Sequence, residues 1–401
     1  MRSILILGSY PPPYGGVPRH LEELTPSLVR GGWDVHILAT GHSGVQSGAG
    51  FTVYKESQAQ KALRALGGIF RGDWGRLSRL LIEDGLTTRM QWLAWASLGR
   101  NIIRSHPVKV ISVYNLLRLP VGVLLSEEFQ VPLVISNFGE AYSHRAVLER
   151  RIDAVRRGTA GAAKRLSISQ HCACSYQQLG LTSEVDVIAY GVDTALFSPS
   201  ADGSPIRTRF GIAPDELMVL YVGRMIRDMG LDTVLAAVPE VLRTTPRVRV
   251  VLAGGKGNLS SEVAHLVATH PGRVNVASDV PTTDLPRLYA AADIVVAPTQ
   301  GARACGSLAS IEAMASGKAV IAARVGGIPE IVQDRVTGLL IAPNDPRALA
   351  AAIAGLANDG AGRRQMGMRG RERALSTYDV RVQNARLVRL FDDLATRSGS
   401  G

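Results

Sequence analysis

The stretch from Val296 to Val332 constrains the fold more than any other part of the sequence. Two short apolar runs, at 293–298 and 319–322, lie on either side of a polar loop and a helix predicted at about 307–316. The first run stops at a proline, and Gly317 follows the helix as a typical C-terminal signal. Short apolar runs separated by a helix are typical of parallel strands that are buried on both faces. The stretch therefore predicts a strand–loop–helix–strand unit of a parallel sheet.

The loop of this unit has the features of a phosphate-binding loop. It contains Gly301 and Gly306, and the predicted helix begins just after it, at about Ser307. The first N–H groups of a helix have no partner within the helix, so they can bind an anion. Glu312 lies near the start of the same helix, where a carboxylate can accept hydrogen bonds from two ribose hydroxyls. We therefore predict a nucleotide site at this loop.

The remainder of the chain predicts a second body of the same class. A length of 401 residues is long for a single core. The composition turns to Ser, Asp, Gly and Pro after residue 199, which predicts a linker. We expect an α/β protein with two Rossmann-like domains facing each other across a cleft, one formed by residues 1–200 with a C-terminal helix at 377–398 and the other by residues 201–376. Apolar runs predict strands in these two domains at 3–8, 36–39, 108–113, 132–136, 166–169, 185–193, 218–223, 248–253 and 274–276.

The net charge of the chain fits either a general bias towards arginine or attraction to phosphates or to an anionic membrane surface. The sequence has 45 lysines and arginines against 34 acidic residues, a net charge of +11. Residues 57–105 are rich in arginine interleaved with apolar residues, which fits either helices that cover the first sheet or a surface for an acceptor or a membrane. No combination of aromatic and basic residues indicates a nucleic-acid platform, so nucleic acid is not an expected partner.

Several features favour the cytoplasm, with a contact at the inner face of the membrane left open. No apolar run approaches the roughly 20 residues that cross a bilayer. We interpret the first nine residues as a strand rather than a signal sequence, because they lack a small-residue cleavage site. The three cysteines have neither a disulfide framework nor a zinc-binding spacing.

A set of motifs occurs in order along nearly the whole chain. Gly15-Gly16 follows the first strand, Gly223-Arg224 follows the strand after the linker, and Glu312 precedes Gly326-Gly327 and Glu330. Together with the run at 188–199 and the Thr337-Gly-Leu-Leu340 segment, they resemble the retaining nucleotide-sugar glycosyltransferases of family 4, which have the two-domain GT-B fold.

The resemblance implies a metal-independent transfer reaction. The donor would be a sugar linked to UDP or GDP, bound in the C-terminal domain, and no further cofactor would be needed. The acceptor would bind in the N-terminal domain, and it would be a small molecule, a lipid carrier or a glycan. The chemistry would consist of stabilising the departing diphosphate in a closed site of low dielectric constant.

The same resemblance assigns roles to individual residues. Glu312 would hold the ribose hydroxyls, although a solvated helix carboxylate is the simpler alternative. Arg224 would bind the diphosphate as a bidentate fork, although a surface arginine at a strand end is the alternative. The remaining predicted donor contacts are Gly15 and Gly16, the backbone of Gly306, Ser307 and Leu308, and the loop at Asp279 and Val280 beside the base.

Three positions depart from the family pattern at the sugar and diphosphate end. Ala304 stands where the family has a glutamate, Met229 where it has a lysine, and Phe138 where it has a histidine. These departures predict either an unusual donor sugar or a non-catalytic relative that binds nucleotide or serves as a scaffold for a partner enzyme. Arg303 or Arg227 could supply the missing cation.

Proton transfer at the reaction centre needs a titratable group near the 132–137 strand. Glu140 and His144 are the nearby candidates, and we predict Glu140 as a catalytic residue beside Arg224.

Overall fold

The computed structural model describes the chain in two compact units. Unit 1 comprises residues 1–189 and 383–401, and unit 2 comprises residues 190–382. The predicted boundaries were residues 200 and 376. The described residues are 2–11, 16–40, 44–55, 86–150, 152–181, 184–255, 257–278, 280–301 and 304–397.

Unit 1 is built on one eight-stranded sheet. Its order is β3-β4-β2-β1-β5-β6-β7-β8, and every neighbouring pair is parallel except β3 with β4. The chain adds strands on one side of β1 and then returns to add β5 on the other side, so the strand order reverses between β1 and β5. The strands are β1 Arg2–Ser9, β2 Trp33–Thr40, β3 Gly44–Gly48, β4 Phe51–Lys55, β5 Val108–Tyr114, β6 Leu133–Asn137, β7 Lys164–Ser167 and β8 Asp186–Val187.

Helices cover both faces of this sheet, and one of them comes from the end of the chain. The helices are α1 Gly16–Arg30, α2 Leu86–Ser105, α3 Leu119–Phe129, α4 Glu140–Ser143, α5 Arg145–Arg150, α6 Ile152–Gly161 and α7 Gln170–Gln178. The last helix of the chain, Val380–Arg397, places Leu387, Phe391 and Leu394 in the same apolar cluster as β1 and α1. Asp392 accepts a hydrogen bond from Trp33 Nε1 at 2.9 Å and pairs with Arg2 at 2.7 Å.

Unit 2 is built on a six-stranded sheet that is parallel throughout. The order is β11-β10-β9-β12-β13-β14, so the strand order reverses between β9 and β12. The strands are β9 Leu217–Val222, β10 Val248–Ala253, β11 Val274–Ala277, β12 Ile294–Ala297, β13 Ala319–Ala323 and β14 Gly338–Ile341. The predicted strand–loop–helix–strand unit is confirmed as β12, a helix and β13.

The helices of unit 2 pack on both faces of its sheet. They are α8 Ser204–Arg209, α9 Leu231–Thr244, α10 Ser260–Thr269, α11 Leu285–Ala291, α12 Leu308–Ala315, α13 Ile328–Ile331, α14 Pro346–Asn358 and α15 Gly360–Arg373. The last helix of the chain, Val380–Arg397, is α16 and packs on the sheet of unit 1, as described above. None of the helices in the described part of the chain is long and apolar enough to cross a membrane.

The structure corrects several details of the sequence prediction. The segment after residue 199 is not a linker, because α8 is anchored in unit 2 by Arg207, which donates to Asp293 at 3.1 Å and to the Ala291 carbonyl at 3.0 Å. The strand predicted at 185–193 shortens to Asp186–Val187. The predicted break at 376–378 is a π-helical turn, Ala374–Tyr378.

Glycines allow the loops at the carboxyl edge of the unit 2 sheet to approach one another closely. Gly230, which begins α9, has a φ of +75°, and a Cβ there would lie 1.8 Å from the Pro298 carbonyl oxygen. Gly254 would similarly collide with Gly223 at 1.8 Å. The loops after β9, β10 and β12 are therefore locked together by backbone contacts that a side chain would prevent.

Replacing Gly230 with alanine should separate two of these loops. We expect Gly230→Ala to lower the free energy of unfolding by about 3–4 kcal/mol, through backbone strain and the overlap with Pro298. Gly211 is the matched control, because its φ is +61° but a Cβ there would meet nothing within 4 Å. Gly211→Ala should cost only about 1–2 kcal/mol. Equal losses for the two variants in urea denaturation would contradict the close approach.

A buried carboxylate joins the two ends of the unit 2 segment. The Asp379 side chain is only 3% exposed, and it accepts two hydrogen bonds from the Arg381 side chain, at 2.6 and 2.8 Å, and one from the Thr194 hydroxyl. These hydrogen bonds, chiefly those from Arg381, lower the pKa of Asp379 to about 2. Hydrogen bonding to the charged form therefore stabilises the folded state wherever the carboxyl is ionised.

The contribution of Asp379 to stability should depend on pH. Because the folded pKa lies below the ordinary value of about 3.9, the stabilisation is complete above about pH 4 and is lost as the pH falls towards 2. We expect Asp379→Asn to cost about 1–2 kcal/mol at pH 6, allowing for solvent around Arg381, and progressively less below pH 4. Asp215→Asn, at an exposed position in the same unit, should show no such trend. A pH-independent loss for Asp379→Asn in urea denaturation would argue against this role.

Candidate functional site

The predicted donor residues of unit 2 gather at the point where its strand order reverses. Parallel sheets bind ligands outside the carboxyl ends of their strands, at the crevice where the order reverses. Here that crevice lies between β9 and β12. The loop after β9 contains Arg224, and the loop after β12 leads through Gly306 and Ser307 into α12.

The amino end of α12 presents backbone N–H groups at this crevice. Ser307 caps the helix, and its side chain accepts a hydrogen bond from the N–H of Ser310. The backbone N–H groups of Gly306, Ser307 and Leu308 donate to none of the other described residues. A helix end in this state can bind an anion.

Glu312 is buried one turn into α12. Only 3% of the residue is exposed, and its carboxylate oxygen Oε2 accepts a hydrogen bond from the hydroxyl of Tyr289 at 2.7 Å. The alternative of a solvated helix carboxylate is therefore wrong. Tyr289 comes from α11, and its ring packs edge-on against Phe197 at 5.7 Å between centroids. The carboxylate is thus held in one orientation by a buried aromatic residue.

The carboxyl end of α12 is fixed by Arg371 from α15, and Lys318, just after α12, binds the neighbouring helix α11. Arg371 donates to the carbonyl of Ala315 at 2.6 Å and also to the carbonyls of Thr194 and Phe197, both at 2.8 Å. Lys318 donates to the Ala290 carbonyl at 2.7 Å. A positive charge at a helix carboxyl end stabilises the helix through its dipole. Both ends of α12 are therefore positioned by specific contacts.

Arg224 lies at the surface beside the same crevice. Its side chain is exposed and forms no ion pair with any of the described carboxylates. Its backbone is fixed, because its carbonyl accepts a hydrogen bond from the buried hydroxyl of Tyr221 at 2.9 Å. The guanidinium is available to an anionic ligand. The backbone of Arg224 is thus held in place, and its predicted role in binding the diphosphate stays a prediction.

A polar cluster joins the loops on the two sides of the crevice. Gln300 donates from its side chain to Asp232 and to the hydroxyl of Thr233, and its N–H donates to the Asp228 carbonyl at 3.0 Å. Arg227 pairs with Asp232 at 3.5 Å. Arg227, one of the two predicted replacement cations, is therefore already engaged with a carboxylate, although its side chain is 67% exposed.

The three residues that depart from the family pattern make apolar or backbone contacts. The carbonyl of Ala304 accepts a hydrogen bond from Gly327 at 2.8 Å. Met229 is half-buried and packs against the apolar core of unit 2. Phe138 lies 5.5 Å from the rings of His20 and Tyr114, in unit 1. None of these three side chains carries a charge.

The reversal point of the unit 1 sheet contains two buried cations. Arg118 is 8% exposed, and it donates to the hydroxyl of Ser9 and to the carbonyl of Tyr114, both at 2.9 Å. Lys55 is 9% exposed and donates to the Pro11 carbonyl at 2.8 Å. Burial lowers the pKa of Lys55. These residues lie at the ends of β1, β4 and β5, where a ligand of unit 1 is expected.

A buried histidine lies at the same reversal point. Burial lowers the pKa of His20 to about 4, so its ring is neutral at neutral pH. The ring lies 5.5 Å from Tyr114 and 5.5 Å from Phe138. The chain therefore has an imidazole against Phe138, although not at the position where the family pattern has one.

Other predicted residues are placed in part or lie outside the described residues. Gly16 begins α1 directly after the loop that follows β1. Val280 is half-buried and follows β11. This strand lies at the edge of the sheet, and β10 lies between it and β9. Glu140 begins α4, but its side chain is not among those described. Gly15, Asp279 and Arg303 lie outside the described residues, as does most of the arginine-rich segment at 57–105.

Several residues of the site carry no local signal in the sequence. Tyr289 lies 23 positions before Glu312, within a short apolar helix, and no local pattern connects the two. Arg118 and Lys55 were not singled out, since each contacts a strand end far away in the sequence.

Two protein-family models match consecutive parts of the chain. The model described as glycosyltransferase family 4 matches residues 14–196, and the model described as glycosyl transferases group 1 matches residues 216–359. The two matches correspond to most of the first segment of unit 1 and to most of unit 2.

Curated relatives are similar over part or all of the chain. A GDP-mannose-dependent alpha-(1-6)-phosphatidylinositol monomannoside mannosyltransferase from Mycolicibacterium smegmatis is 27% identical over 97% of both chains. A D-inositol 3-phosphate glycosyltransferase from Segniliparus rotundus is 36% identical, over 43% of this chain and 39% of the relative. Two further relatives of that name are matched over only 38% and 46% of their length.

Solved structures share the fold over the whole chain. Sucrose-phosphate synthase from Thermosynechococcus elongatus superimposes with a TM-score of 0.77 at 22% identity, over 99% of this chain and 100% of that one. The Anabaena protein HepE in complex with UDP and glucose gives a TM-score of 0.74 at 21% identity, over 98% and 99%. At these identities the likeness concerns the fold alone. The motifs, the family matches and the fold agree: residues 14–196 match a glycosyltransferase family 4 domain, residues 216–359 match a glycosyl transferases group 1 domain, and the chain has the GT-B fold.

Proposed function

We propose that the protein transfers a sugar, with retention, from a nucleoside diphosphate donor bound by unit 2 to an acceptor bound by unit 1. The observation that carries this proposal is the buried Glu312 carboxylate, held by Tyr289 one turn after the phosphate-facing end of α12. In the transfer, the bond from the sugar C1 to the diphosphate oxygen breaks. A bond from C1 to an acceptor oxygen forms on the same face, and the proton of the acceptor hydroxyl passes to a phosphate oxygen of the departing diphosphate.

The amino end of α12 and Glu312 are placed to bind the phosphates and the ribose of one nucleoside diphosphate. The N–H groups of Gly306, Ser307 and Leu308 suit phosphate oxygens, and Glu312 suits the ribose hydroxyls. Arg224 on the opposite side of the crevice would bind the phosphates as the leaving group gains charge. A guanidinium and a helix amino end acting together stabilise such a charge without reorganising water.

We propose further that the donor sugar is modified relative to a common hexose. Ala304, Met229 and Phe138 present no charge where the family pattern has an acid and two bases. A plain hexose bound beside Ala304 would bury hydroxyls without their usual partner, at about 1–3 kcal/mol for each unpaired group. A deoxygenated, branched or extended sugar would lose less, because it places carbon or a larger group in that space.

The acceptor is proposed to carry an anionic group. The names of the two relatives described above both contain a phosphorylated inositol. In unit 1, Arg118 and Lys55 place two buried cations at the reversal point of the sheet. A phosphate there would lie close to positive charge in a site of low dielectric constant. A lipid carrier, a glycan and a small molecule all remain compatible with this chemistry.

Substitution of Glu312 should weaken nucleotide binding in a way that depends on the ribose. A charged carboxylate that accepts two hydroxyl hydrogen bonds contributes about 1.5–3 kcal/mol, so Glu312→Gln should weaken UDP or GDP binding by roughly ten- to a hundredfold. The same variant should bind inorganic pyrophosphate and dideoxy nucleoside diphosphates almost as the wild type does. Titration calorimetry with these ligands separates loss of ribose contact from general damage.

Two further variants complete that test. Tyr289→Phe removes only the hydroxyl that orients Glu312, so it should weaken nucleotide binding by a smaller factor of about 3–10. Glu240→Gln, at an exposed position on α9, should leave binding unchanged. Wild-type affinity in Glu312→Gln would remove this residue from the site.

A panel of donors tests the proposed sugar specificity. We expect UDP-glucose, UDP-N-acetylglucosamine and GDP-mannose to be poor donors, and we expect Ala304→Glu to increase their affinity by restoring an acid. The measurement is donor consumption with acceptor extracts supplied, and the panel includes modified sugars. Turnover of a common hexose donor by the wild type at about 1–10³ per second would refute the proposal.

A non-catalytic relative would behave differently in the same experiments. It would bind UDP or GDP, and that binding would depend on Glu312, but no donor in the panel would be consumed. That result would favour a role as a nucleotide-binding scaffold for a partner enzyme.

A further inference from the structure

Three metal-ligating side chains meet at the amino end of the unit 1 sheet. Asp34 and His36 belong to the first half of β2, and His106 lies between the end of α2 at Ser105 and the start of β5 at Val108. This end of the sheet is opposite to the carboxyl edge that carries the candidate substrate sites. Among the described residues, these three form the one group of at least three His, Cys, Asp or Glu side chains close enough to share an ion.

The distances between these ligand atoms are close to the distances between two ligand atoms that bind the same metal ion. Asp34 Oδ2 lies 2.9 Å from His36 Nε2 and 3.4 Å from His106 Nδ1, and all three ligand atoms lie within 4.8 Å of one another. Tetrahedral zinc, with bonds of about 2.0–2.2 Å, separates two ligand atoms by about 3.3–3.5 Å. Small side-chain rotations would therefore bring all three atoms onto one ion.

We propose that Asp34, His36 and His106 bind a zinc ion that joins the end of α2 to β2. Two imidazoles and one carboxylate suit zinc, which takes nitrogen and oxygen ligands. The His36 side chain is 2% exposed, whereas those of Asp34 and His106 are 24% and 37% exposed. The open side leaves room for water to complete a tetrahedral set.

The hydrogen bonds of His36 prepare it as a ligand. Its ring is buried between the carboxylate of Asp34 and the hydroxyl of Tyr54. Because a carboxylate can only accept, Nε2 carries the proton in the absence of metal, and Nδ1 accepts from the Tyr54 hydroxyl at 3.2 Å. When zinc replaces the proton on Nε2, the ring proton moves to Nδ1 and the hydroxyl of Tyr54 turns to accept it.

Tyr54 would therefore not bind the metal itself but would hold the ligand His36 through a hydrogen bond with Nδ1. It comes from β4, and its ring lies 6.2 Å from that of His36, close to parallel. Histidine ligands of metals almost always donate their second N–H to such a partner, and loss of the partner typically weakens metal binding by about 10–100-fold. A residue that cannot itself reach the metal should thus affect the affinity.

His106 is held in position by the end of α2. Its N–H donates to the Ile102 carbonyl at 2.9 Å, and its carbonyl accepts from Val108 at 2.8 Å. Its ring lies 4.1 Å from that of His36 between centroids. A metal at this point would connect the helix end to the neighbouring strand without requiring a change in the backbone.

The test is a zinc titration of the full chain without a histidine tag, in competition with a chromophoric zinc indicator. We expect one zinc per chain in the wild type. His106→Gln and Asp34→Asn should each weaken binding by at least about 100-fold, and Tyr54→Phe by about 10–100-fold. His265→Gln, which removes an exposed histidine from α10 of unit 2, should bind zinc as the wild type does.

Cobalt substitution reads the coordination directly. Bound Co²⁺ should give the intense visible absorption of a four-coordinate site in the wild type and in His265→Gln, but not in His106→Gln or Asp34→Asn. Circular dichroism of each variant shows whether weaker binding comes from unfolding or from removal of the ligating side chain. Absence of zinc binding in the wild type, or equal affinity in His106→Gln, would overturn the proposal and leave a hydrogen-bonded triad. Unchanged affinity in Tyr54→Phe would overturn the role assigned to Tyr54.

Discussion

Burial of the Glu312 carboxylate is the constraint on which the arrangement of unit 2 depends. Removing a charge from water costs several kcal/mol unless hydrogen bonds compensate it. The hydroxyl of Tyr289 supplies one such bond, and it can do so only if α11 and α12 keep their relative positions. The cap at Ser307 and the hydrogen bond from Arg371 fix the two ends of α12, and Lys318, which follows α12, binds the carboxyl end of α11. A ligand that offers hydroxyls to the same carboxylate would meet a group already oriented.

The two units place opposite charges at equivalent positions. In each sheet the strand order reverses, between β1 and β5 in unit 1 and between β9 and β12 in unit 2. At the first reversal the buried charged groups are cations, Arg118 and Lys55, whereas at the second the buried group is the carboxylate of Glu312. The buried side chains of the first reversal point therefore suit an anion, whereas the buried carboxylate of the second suits hydroxyl groups, beside a helix end that can bind an anion.

Local signals account for the parts of the structure that the sequence predicted well. The β12–α12–β13 unit was predicted because each element carries its own signal, from the apolar strands to the serine cap and Gly317. The strand pair β3–β4 was missed because the GVQSG segment is exposed and has no apolar alternation. The segment after residue 199 was predicted to be a linker because its composition is polar. Its contact with unit 2, from Arg207 to Asp293, joins residues 86 positions apart and leaves no local signal. The partners of Glu312 and His36 were hidden for the same reason, since such contacts exist only after the chain has folded.

The division of unit 1 into two chain segments has a consequence for biosynthesis. Leu387, Phe391 and Leu394 complete the apolar cluster around Trp33, and they follow the whole of residues 190–382. A ribosome that adds about 5–20 residues per second needs on the order of 10–40 s to translate that intervening stretch. Throughout this interval the nascent first segment exposes the apolar face that the last helix will cover. Synthesis of unit 1 therefore starts before that of unit 2 and is completed after it.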